Sequence, residues 1–160
     1  MPKPEDIVVR QEFDLNPKEL WDFYVENHCC ETRYSMDRAT SVLGNCTAVV
    51  VARDRGKLVG IARAVSDGLS AQIMELSVAL SHQGPRARNR TGALVEDDKY
   101  NVGKRLAETL VDVLHSQGVD WIGMVAWPTE LQMYRDAGFH VKEEDRAVFV
   151  DTRPPRETGR

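Results

Sequence analysis

Tyr100-Asn101-Val102-Gly103-Lys104-Arg105-Leu106 joins a long polar stretch to the most regular helical pattern of the chain. Downstream of Asn101, apolar residues fall at Val102, Leu106, Leu110, Val113 and Leu114, steps of three and four that give a helix one buried face. Gly118 stops that helix. A glycine in the first helical turn leaves room for an anion to approach the free N–H groups of a helix start. One glycine is a weak sign, so its flanks decide what it means.

Working outward, Ile7-Val8-Val9-Arg10-Gln11 reads as a first strand. Asn16-Pro17-Lys18-Glu19 is a helix start, with Asn as cap, Pro at the first position and an acid three residues on. A second short helix runs from Ser35 to Leu43. Thr47–Arg53 and Lys57–Val65 form a hairpin about Asp54-Arg55-Gly56. Asp67-Gly68 turns the chain into a third strand from Ala71 to Leu80. Trp121–Ala126 reads as a buried strand and Pro128–Ala137 as a short helix closed by Gly138. Val141 and Ala147–Val150 supply one or two closing strands. The order β-α-α-β-β-β-α-β-α-β implies an α/β (α+β) fold: a mixed, mostly antiparallel sheet with helices on both faces.

Between the third strand and the long helix, Ser81–Lys99 is polar, with Arg86, Arg88 and Arg90 at one end and Glu96-Asp97-Asp98 at the other. A mobile, solvated loop is the plainer reading. The other is a lid whose arginines reach an anionic ligand. The opposite charge blocks would fold the loop back on itself. Residues 1–151 read as a single domain carrying this insertion at 81–99, and 152–160 as a frayed tail.

The 160 residues are 42% hydrophobic and 29% charged, with a formal net charge of -4. Such a surface disfavours non-specific nucleic-acid binding. No apolar leader or membrane-length run is present, and the expected location is cytoplasmic. Cys29, Cys30 and Cys46 lack the spacing of a structural zinc site or a disulfide framework. They read as small buried hydrophobes in a reducing compartment. A Cys/His hydrolase built on Cys29 or Cys30 lacks a glycine-rich nucleophile turn.

The element order and three signatures together resemble the GNAT superfamily of acyl-CoA-dependent N-acyltransferases, over about residues 7 to 150. Met74-Glu75-Leu76-Ser77-Val78-Ala79-Leu80 matches the central strand ending in Val-x-Pro, with Leu80 at the proline position. Asn101-x-Gly103-Lys104-Arg105-Leu106 matches the end of the Gln/Arg-x-x-Gly-x-Gly/Ala pyrophosphate loop, with Asp98 and Asn101 at the first two positions. Met133-Tyr134-x-x-x-Gly138-Phe139 matches the aromatic-Tyr-x-x-x-Gly-Phe run. Trp127 stands where the family often has Asn.

The resemblance implies transfer of an acyl group, usually acetyl from acetyl-CoA, to a primary amine of a small molecule or peptide, by direct attack and without a metal. The pantetheine arm would pair along the strand at Val78 and Leu80. The pyrophosphate would rest on Asn101, Val102, Gly103 and Lys104. Tyr134 is the candidate general acid: its phenol, of pKa about 10, is protonated at neutral pH and can supply the departing thiolate. Glu75 is the candidate base. Neither a nucleic-acid nor a membrane partner is expected, and a homodimer would be ordinary. Each role has a plainer alternative: Asp98 or Asn101 caps a helix, Tyr134 fills the core, and Glu75 faces solvent from its strand or pairs with Arg63. At the level of the whole chain, the alternative is a catalytically inactive GNAT-fold binding or regulatory module.

Overall fold

The computed structural model describes residues 1–31 and 33–153. Five strands form one sheet in the order β1 (Ile7–Gln11), β2 (Ala48–Asp54), β3 (Lys57–Ser66), β4 (Ser70–Val78) and β5 (Trp121–Gly123). The first four are antiparallel, and only the β4–β5 pair is parallel. Among the described residues four α-helices accompany them: α1 (Pro17–Glu26), α2 (Met36–Gly44), α3 (Val102–Ser116) and α4 (Leu131–Asp136). The mixed, mostly antiparallel architecture is the one the sequence implies.

Side chains alternate across the sheet, and the two faces take different helices. On one face, α3 buries Val102, Leu106, Leu110 and Leu114, each fully, for about 2 kcal/mol per leucine. Gly60 of β3 makes room for it: a Cβ there would lie 2.9 Å from Leu106 Cδ1. On the other face, Tyr24 of α1 reaches Glu75 of β4 through its hydroxyl, at 2.5 Å. Asn16 caps α1 as expected, its side chain accepting the Lys18 N–H at 2.8 Å. Arg53 at the end of β2 clamps the start of the fold, holding Glu12 at 2.6 Å and Glu19 at 2.7 Å.

β4 carries a bulge. Arg63 pairs with Glu75 and Ala64 with Ile73, leaving Met74 without a partner. A bulge bends and twists its strand. Beyond it, β4 and β5 part. Their pairing is confined to Ser70–Trp121, Ala71–Ile122 and Gln72–Gly123, while β4 runs on to Val78.

Three expectations need correction. The strand expected at Trp121–Ala126 ends at Gly123 and is not buried: Trp121 is 58% exposed, with Lys142 Nζ 5.0 Å from its ring centre. The closing strands at Val141 and Ala147–Val150 do not form among the described residues, where Val148, Phe149 and Val150 are 92%, 89% and 85% exposed. An apolar run becomes a strand only against a partner edge. Here the charged segment before it turns on itself, Arg146 donating to the carbonyls of Glu143 and Asp145, and the run is left exposed. The third correction concerns Ser81–Lys99, which is tied to the body of the protein rather than solvated along its length. Of the expected tail, residues 154–160 lie outside the described residues.

Candidate functional site

The site lies where β4 and β5 part and where α3 begins. At the end of β4 the Ala79 N–H donates to the Val59 carbonyl at 2.8 Å, so the ladder to β3 passes through Ala79 and the polar groups of Val78 point to the outer edge. Both are engaged there by the insertion. The Val78 N–H donates to the Gly92 carbonyl at 2.9 Å. The Val78 carbonyl accepts from the Gln83 side-chain amide at 3.1 Å. Gly92 in turn donates its N–H to the Asn27 carbonyl at 2.8 Å. The Leu80 N–H goes to Asn27 Oδ1 at 2.9 Å.

The second half of the site is the N-terminus of α3. Asn101 has φ 58°, a left-handed conformation that asparagine tolerates better than most residues. The turn expected of a glycine is therefore made without one. Its side chain does not cap the helix. Asp98 does so instead: its carboxylate oxygens accept the Gly103 N–H and the Lys104 N–H, each at 2.8 Å. These are N–H groups that an incoming anion would use, and a side-chain carboxylate holds them. Burial raises the Asp98 carboxyl above its usual range, and the Lys104, Gly103 and Val102 N–H groups work against that rise. The donors thus fit an anionic group and hold one already. The basic residues nearby are also occupied. Lys104 lies 3.4 Å from Glu108, and Arg105 donates to the Ile7 carbonyl at 2.9 Å.

Gly103 has a packing reason for its identity. A Cβ there would meet Met133 Sδ at 2.3 Å and Val95 Cγ1 at 3.1 Å. Met133 belongs to α4, so this glycine lets α4 approach α3 closely. The next residue, Tyr134, is buried and packs edge to face on Phe139, ring centres 5.5 Å apart. Burial raises its phenol pKa, and the charges of Glu130 and Asp98 raise it further. The phenol is therefore firmly protonated at neutral pH and sits within electrostatic reach of the α3 terminus. Glu130 is buried as well. It accepts the Val95 N–H at 2.9 Å and the Trp127 N–H at 3.2 Å, which ties the insertion to the turn before α4.

Glu75 stands in a separate cluster on the α1 face. It accepts from Tyr24 Oη at 2.5 Å, Arg63 Nε at 2.7 Å and Ser77 Oγ at 2.7 Å. The anticipated Arg63 ion pair is present, with side chains 18% and 12% exposed. Cys29 lies beside this cluster. Its thiol is pushed up to about 12, first by burial and then by the Glu75 charge, which leaves it inert at neutral pH. Among the described residues, no group of three or more His, Cys, Asp or Glu is placed to hold a metal ion, and no helix is long and apolar enough to cross a membrane.

The structure thus gathers Val102, Gly103, Lys104 and Tyr134 around Asp98, and places Val78 and Leu80 against the insertion and Asn27. Glu75 is held apart with Tyr24 and Arg63. Sequence reasoning passed over Gln83, Gly84, Gly92 and Glu130. Gln83-Gly84 follows the short 3-10 turn Leu80–His82 after β4, and a glutamine–glycine pair at that place was the available signal. The Gly84 N–H donates to the Asp97 carbonyl at 2.8 Å, stitching this pair to the segment that opens α3. Residues 85–97 are therefore an excursion within the turn between β4 and α3. No local signal marks Gly92 or Glu130.

No protein-family model matches the chain, and no curated protein matches it. Solved structures do. A GNAT-family acetyltransferase from Streptococcus pneumoniae aligns at TM-score 0.64 and 16% identity, over 92% of this chain and 99% of that one. An aminoglycoside acetyltransferase from an uncultured soil metagenomic sample aligns at 0.65 and 16%, over 93% and 98%. Glucosamine-6-phosphate N-acetyltransferase from Arabidopsis thaliana aligns at 0.64 and 14%, over 91% and 99%. The chain has the fold of the GNAT acetyltransferases across nearly its whole length.

Proposed function

We propose that the chain is an acyl-CoA-dependent N-acyltransferase that moves an acetyl group from acetyl-CoA to a primary amine of a small molecule or peptide. The observation that carries this reading is the parting of β4 from β5, which leaves the outer edge of Ile73–Val78 without a strand neighbour and leads to the α3 N-terminus beside Tyr134. Similarity in fold to acetyltransferases named for aminoglycosides and glucosamine-6-phosphate supports amine acceptors of that kind.

When bound, the cofactor supplies the activated acyl group. Val78 and Leu80 would line the edge for its arm, and Asn101, Val102, Gly103 and Lys104 would meet its pyrophosphate once Asp98 gives up the Gly103 and Lys104 N–H groups. Glu75 takes a proton from the acceptor ammonium, directly or through water. The bound thioester would take up the freed amine and release a thiolate, and Tyr134, kept protonated by its burial and its acidic neighbours, would hold the proton for that leaving group. Isothermal calorimetry with acetyl-CoA tests this reading. Binding is expected, and its absence at millimolar cofactor, both in the full chain and with the 85–98 segment shortened, would overturn it.

A second reading is favoured by one specific observation. Gly92 and Asp98 take up the N–H groups of Val78, Gly103 and Lys104 that the cofactor would use. In that reading the chain is a GNAT-fold binding module without catalysis. It would be purified free of CoA and would not turn over amines.

A further inference from the structure

We propose that residues 85–98 are a built-in plug of the acyl-CoA groove, so that the cofactor binds only the population of molecules in which this excursion is undocked. The inference rests on the acyltransferase reading above and names the regulation of its site.

Two separate contacts reproduce chemistry expected of the ligand. The Gly92 carbonyl accepts the Val78 N–H at 2.9 Å, as an amide of an extended arm would along a strand edge. The Asp98 carboxylate accepts the Gly103 and Lys104 N–H groups at 2.8 Å each, as a phosphate would at a helix start. The two contacts belong to one segment. The Val95 N–H on Glu130 Oε1, at 2.9 Å, pins the chain between them.

The segment is shaped to dock. Gly92 has no room for a side chain: a Cβ would meet the Val78 carbonyl at 2.8 Å, Asn27 Cβ at 3.0 Å and Cys29 Sγ at 3.1 Å. Gly84 is equally confined, a Cβ lying 2.1 Å from Asp97 Oδ2. The excursion departs and returns at one point, where the Gly84 N–H meets the Asp97 carbonyl at 2.8 Å. Asp98 follows the stitch on its α3 side, so the Gly103 and Lys104 N–H groups are freed only when the stitch opens as well.

One polar group is left unsatisfied when the plug is docked. Gln83 is 6% exposed and its amide donates to the carbonyls of Val78 and Leu94, yet its Oε1 has no partner. A rotated amide would not cure this, because both carbonyls require donors. The docked state therefore keeps one buried acceptor beside the Val78 and Leu94 carbonyls. Undocking the excursion opens this oxygen to water or to a ligand donor.

A ligand that needs a minor population binds with its affinity reduced by that population. The test compares CoA binding by calorimetry in three proteins: the full chain, a chain in which residues 85–98 are replaced by a short glycine linker, and Gly92→Ala. Both variants should bind CoA at least about tenfold more tightly than the full chain. Equal affinity in all three would overturn the plug and leave the acyltransferase reading standing. No binding by any of them at millimolar CoA would overturn both. Gly92→Ala decides the matter alone if the shortened chain does not fold, because it changes one residue outside the proposed catalytic groups. The converse result, weaker CoA binding in Gly92→Ala than in the full chain, would also overturn the plug.

Discussion

Val78 and Gly92 are related as neighbouring strand residues are, the N–H of the first donating to the carbonyl of the second at 2.9 Å, although Gly92 belongs to no strand. The bond completes an edge that β5 leaves open. It also fixes which way the insertion runs, because Gly92 passes its own N–H to Asn27 beyond the end of α1. One residue thus joins β4 to the α1 side of the sheet.

The contact between α3 and α4 depends on the absence of a side chain at position 103. Gly103→Ala puts a methyl 2.3 Å from Met133 Sδ, and overpacking of this kind costs about 1–3 kcal/mol. Urea unfolding should show that loss. In the double variant with Met133→Ala the loss from Gly103→Ala should be smaller than in the parent, since the two positions share one space.

Glu75 receives three donors, from Tyr24, Arg63 and Ser77, in a partly buried setting. Glu75→Gln leaves the Arg63 guanidinium without its counter-charge and should cost about 3 kcal/mol. Tyr24→Phe removes one hydrogen bond and should cost about 1 kcal/mol. Combining them should cost less than the sum. Strict additivity in chemical denaturation would mean that the cluster does not act as a unit.

Tyr134→Phe keeps the ring against Phe139 and removes only the hydroxyl. The melting temperature should stay close to that of the parent. Turnover of an amine acceptor should drop by about 100-fold or more if the phenol supplies the proton. Unchanged turnover would assign Tyr134 to packing alone.

Burial raises the Glu130 carboxyl above its ordinary value of 4.5, against the pull of the Val95 and Trp127 N–H groups. Between the ordinary and the raised value, the folded protein binds more protons than the unfolded one, so this group's contribution to stability falls as pH climbs through that window. Glu130→Gln removes the effect. The stability of the variant relative to the parent should improve from pH 4.5 upward and level off above the raised folded value, as read from melting curves across pH. Glu12 has the opposite sense. Arg53 holds its carboxyl low, so its contribution is complete above 4.5 and is lost as pH falls below it.

Features encoded in adjacent residues were legible in the sequence. The Asn16 cap, the Asp54–Lys57 turn and the α3 face each follow from a few neighbouring side chains, and the order of these elements implied the sheet. The site was legible only at its strand and helix ends. Tyr24 and Glu75 are 51 residues apart, and no spacing rule links them. The docking of the insertion depends on room at Gly84 and Gly92, and on Glu130 being turned inward, which are matters of tertiary packing. Val148-Phe149-Val150 misled for a related reason. Its β propensity is real, but propensity is silent about whether an edge lies within reach.

The stitch between Gly84 and Asp97 has a consequence for how this turn can change over time. A segment whose two ends already meet can be lengthened at its tip at small cost, since each doubling of a flexible loop adds only about 0.6 kcal/mol of closure entropy. Arg86, Arg88 and Arg90 are solvent-exposed. Extra residues spliced among them would hang from a hinge that is already paid for. The place is a natural graft point for foreign sequence, a tag or a reporter, with the sheet left as it is.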